Sequence, residues 1–167
     1  MDLLTARLRD QLSSLSSEVM VMDRLAEWNR QHLESRYASA QLYDPEFERL
    51  HLVAHREFAA YLIDQFGDIP ITSGTMCARA ARLQTPILVP DVTADSDWAP
   101  FLSFSERAGF DSVLSVPLLS KTGEVIGVTS CHFVGCARPS QNELKFAQVS
   151  CAFASDAIGE LRRRSRQ

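Results

Sequence analysis

The chain has 167 residues, 46% hydrophobic and 23% charged, with a formal net charge of −4. That length and balance suit one globular domain with a core of its own, and they exclude fibrous and intrinsically disordered classes. The acidic balance excludes a generally basic surface for nucleic acid, and no stretch approaches the ~20 apolar residues of a membrane helix.

The start of the chain, Met1 to Arg7, carries charge early and leads into no long apolar run. It is not a secretory leader, so a cytoplasmic location is expected. Leu4, Leu8, Leu12, Leu15, Val19, Met22 and Ala26 then recur at helical spacing, which predicts helix over the first 35 residues. Ser13, Ser14, Ser16 and Ser17 weaken the local propensity and mark a bend. Two alternating stretches follow, around Ala38–Tyr43 and Leu50–His55. Asp44 and Pro45 sit between them where a hairpin needs turn formers. A short helix is predicted over Glu57–Phe66, ended by Gly67, and another from Met76 to about Leu83. A strand at Pro86–Val89, a loop over Asp91–Pro100 and a helical turn over Phe101–Ala108 come next. A second hairpin, Ser112–Leu119 with Glu124–Phe133, turns at Lys121-Thr122-Gly123. The last helix begins at Ser140, where Glu143 completes a capping-box pattern, and runs to about Arg163.

That last helix has two apolar faces. Leu144, Ala147, Cys151, Ala154, Ile158 and Leu161 form one, and Phe146, Val149, Phe153 and Ala157 the other. One face can cover a sheet, and the other needs a further helix, from the same chain or from a second copy. The expected dimer seam is Leu8, Leu12, Leu15, Val19 and Met22 with Cys151, Ala154, Ile158 and Leu161. The expected fold is thus α+β, an α/β sandwich. A central antiparallel sheet of five to six strands has the terminal helices on one face, with small helices and loops forming a pocket on the other. Arg162, Arg163, Arg164 and Arg166 read as a solvated helix end, where cations suit the dipole.

An ordered set of motifs now carries a resemblance. It comprises Ser73-Gly74-Thr75-Met76-Cys77-Ala78-Arg79-Ala80, Ile87-Leu88-Val89-Pro90-Asp91-Val92 and Asp95-Ser96-Asp97-Trp98-Ala99-Pro100. Ala108-Gly109-Phe110-Asp111-Ser112, Gly123-Glu124-Val125-Ile126-Gly127-Val128 and Pro139-Ser140-Gln141-Asn142-Glu143-Leu144 complete it. In that order they resemble the GAF family over about residues 35 to 160. The resemblance implies a helical segment over 1–35, a GAF domain over 36–163 that includes the last helix, and a basic tail over 164–167. It implies a sensory or regulatory role that binds a small molecule, dimerises, or does both, and that relays a signal to an effector such as a histidine kinase in a bacterial two-component system. The alternative it leaves is a ligand-free dimerisation module. Candidate ligand contacts are Ser73, Thr75, Cys77, Asp91, Trp98, Phe101, Phe104 and Ser115. Asp91 also suits a turn cap after Pro90.

One branch of that family reduces free methionine sulfoxide with cysteine thiols, and Cys77 falls where that branch carries one of them. The branch needs another in the loop matching Leu102–Asp111, which contains no cysteine, so the chain is not expected to be an enzyme. Cys77, Cys131, Cys136 and Cys151 include no C-x-x-C pair and are expected to be reduced. Cys131-His132 lies in a strand, where its two side chains point to opposite faces, so no bilin is expected. His51 and His55 are about 13 Å apart in a strand and cannot share a metal. One axial histidine would suffice for haem, but no cofactor, haem included, is expected.

Overall fold

Two hairpins and two very short edge strands make one sheet. In this computed structural model, which describes residues 2–136 and 138–167, the strands are β1 (Tyr37–Asp44), β2 (Arg49–Arg56), β3 (Asp68–Pro70), β4 (Ile87–Val89), β5 (Ser112–Leu119) and β6 (Val125–Phe133). They run in the order β3-β2-β1-β6-β5-β4, every neighbour antiparallel. Among the described residues the α-helices are α1 (Leu3–Ser13), α2 (Glu18–Leu33), α3 (Ala60–Phe66), α4 (Met76–Leu83), α5 (Leu102–Ala108) and α6 (Gln141–Ser165). The fold is α+β, with α1, α2 and α6 on one face of the sheet and α3, α4 and α5 on the other side.

Local chemistry sets these boundaries. Asp44 Oδ1 accepts the amides of Glu46 and Phe47, closing the first hairpin. Ser140 Oγ accepts the Glu143 amide and Glu143 returns the bond to the Ser140 amide, so the capping box at the start of α6 is complete. The serine run does more than bend one helix: it separates α1 from α2. Ser13 and Ser14 hydroxyls donate to the Asp10 and Gln11 carbonyls of the closing turn, and Ser17 caps the next helix by accepting the Met20 amide. β3 is a strand the sequence reading lacks; three residues are too few to show alternation.

The break lets α1 turn back. Its first residues share a groove with His32 and Leu33 at the far end of α2 and with Phe146, Val149 and Phe153 of α6. α2 lies on β1 and β2, α6 lies on β5, and α1 packs along α6. Asn29 and Ser150 join α2 to α6 by a buried hydrogen bond of 2.9 Å. Arg162 binds Glu18 at 2.7 Å at the opposite end of the pair. Arg56 clamps β2 to α2 through Asp23 and Glu27. The seam expected between two copies is therefore largely filled within one. Leu8, Leu12, Met22, Cys151, Ala154 and Ile158 are each no more than 2% exposed in the single chain, and Leu15 and Leu161 pack against the same core. Of the nine positions only Val19 is well exposed. Helical periodicity marks which side chains are buried, not which chain buries them.

The strands of the second hairpin and β1 approach closely at Gly127, where a Cβ would lie 2.2 Å from the Gln41 carbonyl oxygen and 3.1 Å from Met22 Cε. Gly127→Ala must push β6 away from β1 or strain it, and overpacking of this kind costs about 2–3 kcal/mol. Thermal melting should show a drop of several degrees. An unchanged midpoint would contradict this description of the β1–β6 contact.

Candidate functional site

The strands' period of two sends alternate side chains to opposite faces. Ala38, Ala40, Leu114, Val116, Leu118 and Cys131 meet the helices α2 and α6. On the other face the register sets Ser39 opposite Ser130 and Ser130 opposite Ser115, a row of three serines across β1, β6 and β5. All three are buried. Where a sheet interior ordinarily carries Val or Ile, this row is small and polar, and it forms the floor of a cavity.

The cavity volume is about 40 Å³. One water needs roughly 10–15 Å³ on that scale, so the site suits a compact molecule. Its polar lining is Ser39, Gln41, Thr75, Cys77, Ser115, Ser130 and His132. Its apolar walls are Phe58, Leu62, Phe66, Met76, Trp98, Phe110 and Val113. An apolar enclosure with a few convergent polar groups is the usual character of a ligand pocket.

Each wall has a local cause. Thr75 caps α4, accepting the Ala78 amide at 3.4 Å, and so sets the start of that helix over the floor. Arg79 reaches from α4 to Asp95 with two bonds of 3.0 and 3.2 Å. Asp95 Oδ1 in turn accepts the Trp98 amide. The Trp98 indole N–H donates to Ser105 Oγ at 3.0 Å, so this ring offers the cavity only its apolar surface. Gly109 closes α5 at φ 80°, the left-handed conformation that glycine adopts freely, and turns the chain so that Phe110 enters the wall.

The polar groups are unevenly satisfied. Ser115 and Ser130 share a hydrogen bond of 2.6 Å between their hydroxyls. Gln41 Nε2 donates to Cys77 Sγ at 3.5 Å, and Thr75 Oγ1 lies 3.3 Å from the same sulfur. Gln41 Oε1 and His132 Nδ1 are buried with no partner at hydrogen-bonding geometry, though the Tyr37 backbone is near enough to the His132 ring to favour its charged form weakly. The His132 ring lies edge-on to Phe110 and Phe58, 4.9 and 5.4 Å between centres. Burial in that aromatic setting pushes its pKa down to about 4, and the imidazole is neutral at pH 7. Burial pushes the Cys77 thiol up, so it is not a thiolate. Cys131, pushed up to about 12 by burial, and Cys151 lie on the helix side of the sheet, and Cys136 is exposed.

Of the residues singled out in the sequence, Thr75, Cys77, Trp98 and Ser115 line the cavity. Four others are not among its lining residues. Ser73 stands behind Thr75, its hydroxyl accepting the Thr75 amide at 3.2 Å. Asp91 caps its own turn, accepting the Thr93 amide and hydroxyl at 3.0 and 2.6 Å, which holds its carboxyl below the usual range. Phe101 and Phe104 pack edge-on to Phe66, 5.8 and 5.3 Å between centres. Sequence reasoning missed Ser39, Gln41 and Ser130, and weighed His132 only as a cofactor ligand. A signal existed in the polar residues alternating through β1 and β6, but these look the same as a solvated face. Among the described residues no group of three His, Cys, Asp or Glu side chains is placed to hold a metal, and no helix is long and apolar enough to cross a membrane.

The profile of the GAF domain family matches residues 17–158. The chain belongs to the GAF domain family. Several solved structures share its fold. The GAF domain of an Acinetobacter phosphoenolpyruvate-protein phosphotransferase superposes with a TM-score of 0.78 at 15% identity, covering 100% of each chain. A free methionine-R-sulfoxide reductase from Neisseria meningitidis, solved with its substrate, gives 0.80 at 18% identity over 96% of this chain and 89% of that one. A GAF domain/HD domain protein from Geobacter sulfurreducens gives 0.74 at 17% identity over 90% and 97%. At these identities the likeness is one of fold. No curated protein matches by sequence.

His132 gives this GAF domain a pH signature. An unfolded chain protonates the imidazole near 6.5 and the folded one only near 4. The contribution is complete above about pH 6.5 and is lost as the pH falls from there toward 4, by about 2 kcal/mol at pH 5. Urea unfolding at pH 7 and pH 5 should show that loss, and His132→Phe should remove most of it. Equal pH dependence in the two proteins would contradict a buried neutral His132.

Proposed function

We propose that this GAF domain is a sensory or regulatory module that binds a compact small molecule in the cavity and relays its occupancy to an effector, a histidine kinase being the kind the family suggests. The observation that carries the reading is the pair of buried polar atoms, Gln41 Oε1 and His132 Nδ1, left unpaired in a cavity half of whose lining residues are apolar. An unpaired buried polar group costs about 1–3 kcal/mol, a cost that a ligand bonding to it removes. The relay follows from the strands. β1, β5 and β6 face the cavity with one set of side chains and touch α2 and α6 with the other. A ligand that shifts the serine row shifts the helix-bearing face with it.

A ligand-free dimerisation module is the second reading. It is favoured by Leu3, Leu4, Val19 and Met20, apolar and 42–91% exposed on α1 and α2. A homodimer through the terminal helices would use these residues rather than the buried stripe. Thiol chemistry of the reductase kind is not proposed. Such a mechanism needs a second thiol near the first, and Cys131 and Cys151 are separated from Cys77 by the sheet.

Native mass spectrometry of protein purified from its own host separates the first two readings. The sensory reading expects a non-covalent excess mass that disappears in Ser115→Leu, which fills the cavity floor. A dimer of bare mass would favour the relay module, and a bare monomer would contradict both.

A further inference from the structure

We propose that the cavity selects an uncharged ligand with an amide-like edge, a hydrogen-bond donor beside an acceptor, and rejects carboxylates and phosphates. This rests on the reading that the cavity is a ligand site. No Lys, Arg, Asp or Glu lines it. Arg79 of α4, which is outside the lining, is held by two hydrogen bonds to Asp95. An anion placed inside would meet no permanently charged side chain to pair with, and burying a charge without one is costly. At the start of α4 the Ala78 amide is already bonded to Thr75 Oγ1.

What the cavity lacks is complementary. Gln41 is 3% exposed, and its amide has one bonded end and one free end. Its bonded end meets only a thiol, a weak partner. A ligand N–H can pair with Oε1, and an adjacent carbonyl can compete for Nε2. Whichever way round the amide lies, a donor–acceptor edge satisfies it. His132 Nδ1, neutral, can donate or accept according to tautomer. The paired hydroxyls of Ser115 and Ser130 retain one proton to donate to a ligand carbonyl. Every unsatisfied atom here is dipolar, and none is ionic.

The test is a fragment titration of the 15N-labelled chain, followed by NMR. The set pairs neutral amides, imides and ureides with carboxylates of matched shape, uracil with orotate and nicotinamide with nicotinate among them. Neutral members should perturb the Gln41 side-chain amide and the Ser115 and Ser130 backbone amides. Their ionised counterparts at equal concentration should leave these signals in place. Gln41→Leu should weaken the neutral fragments about tenfold while melting no lower than the parent, because it removes an unpaired buried acceptor. Carboxylates that bind at these signals as tightly as neutral fragments would overturn the ligand class and leave the cavity as a site. A set that perturbs none of the cavity signals would overturn both. Binding that survives Gln41→Leu unchanged would overturn the assigned edge.

Discussion

The central strands of this GAF domain are covered on both faces, and most of the structure follows from that constraint. β1 and β6 are buried along most of their length, and β5 nearly throughout. Each strand must therefore satisfy two different surfaces with alternate residues. On one side Ala38, Ala40, Leu114, Val116 and Leu118 give the helices a close-packed apolar bed. On the other, the serine row leaves space, and the walls raised around it by α3, α4 and the Trp98 loop enclose a cavity rather than fill it. Gly127 marks how tight the first arrangement is, with no room for a Cβ between Gln41 and Met22. The close fit on the helix side and the slack on the cavity side belong to the same three strands. A perturbation of the slack side can thus reach the helices without a separate transmitting element.

The helix layer completes the account in an economical way. α2 and α6 lie on the sheet, and α1, freed by the serine caps at Ser14 and Ser17, folds back to cover the outward side of α6. The family profile begins at residue 17, just past that break, so α1 lies outside the matched residues. Its effect is to bury Leu8 and Leu12 in the same core as Ile158. The outward apolar face of α6, which two-faced helices commonly offer to a partner, is in this chain largely occupied from within.

Much of the fold was legible because its signals are local. The two hairpins, the Thr75 and Ser140 caps and the helix over Met76–Leu83 each rest on residues within a few positions of one another. β3 was not legible, since Asp68-Ile69-Pro70 becomes a strand only by pairing with β2. The site was half legible. Thr75, Cys77, Trp98 and Ser115 stand near motifs that mark the family, whereas Ser39, Gln41, Ser130 and His132 sit at alternating positions that read equally as a wet face. Whether a polar face is wet or roofed depends on α3 and α4, which lie elsewhere in the chain. Asp91, offered both as a ligand contact and as a turn cap, is a motif position whose carboxylate serves its own turn.

The central claim is that Gln41 Oε1 and His132 Nδ1 are unpaired because a ligand belongs between the cavity walls. The most direct measurement is a high-resolution crystal structure of the protein purified from its own host. The account predicts density in the cavity for a compact uncharged molecule, within hydrogen-bonding distance of Gln41 and His132. A cavity that holds water alone, or one closed by a turn of Gln41 onto protein partners, would contradict it.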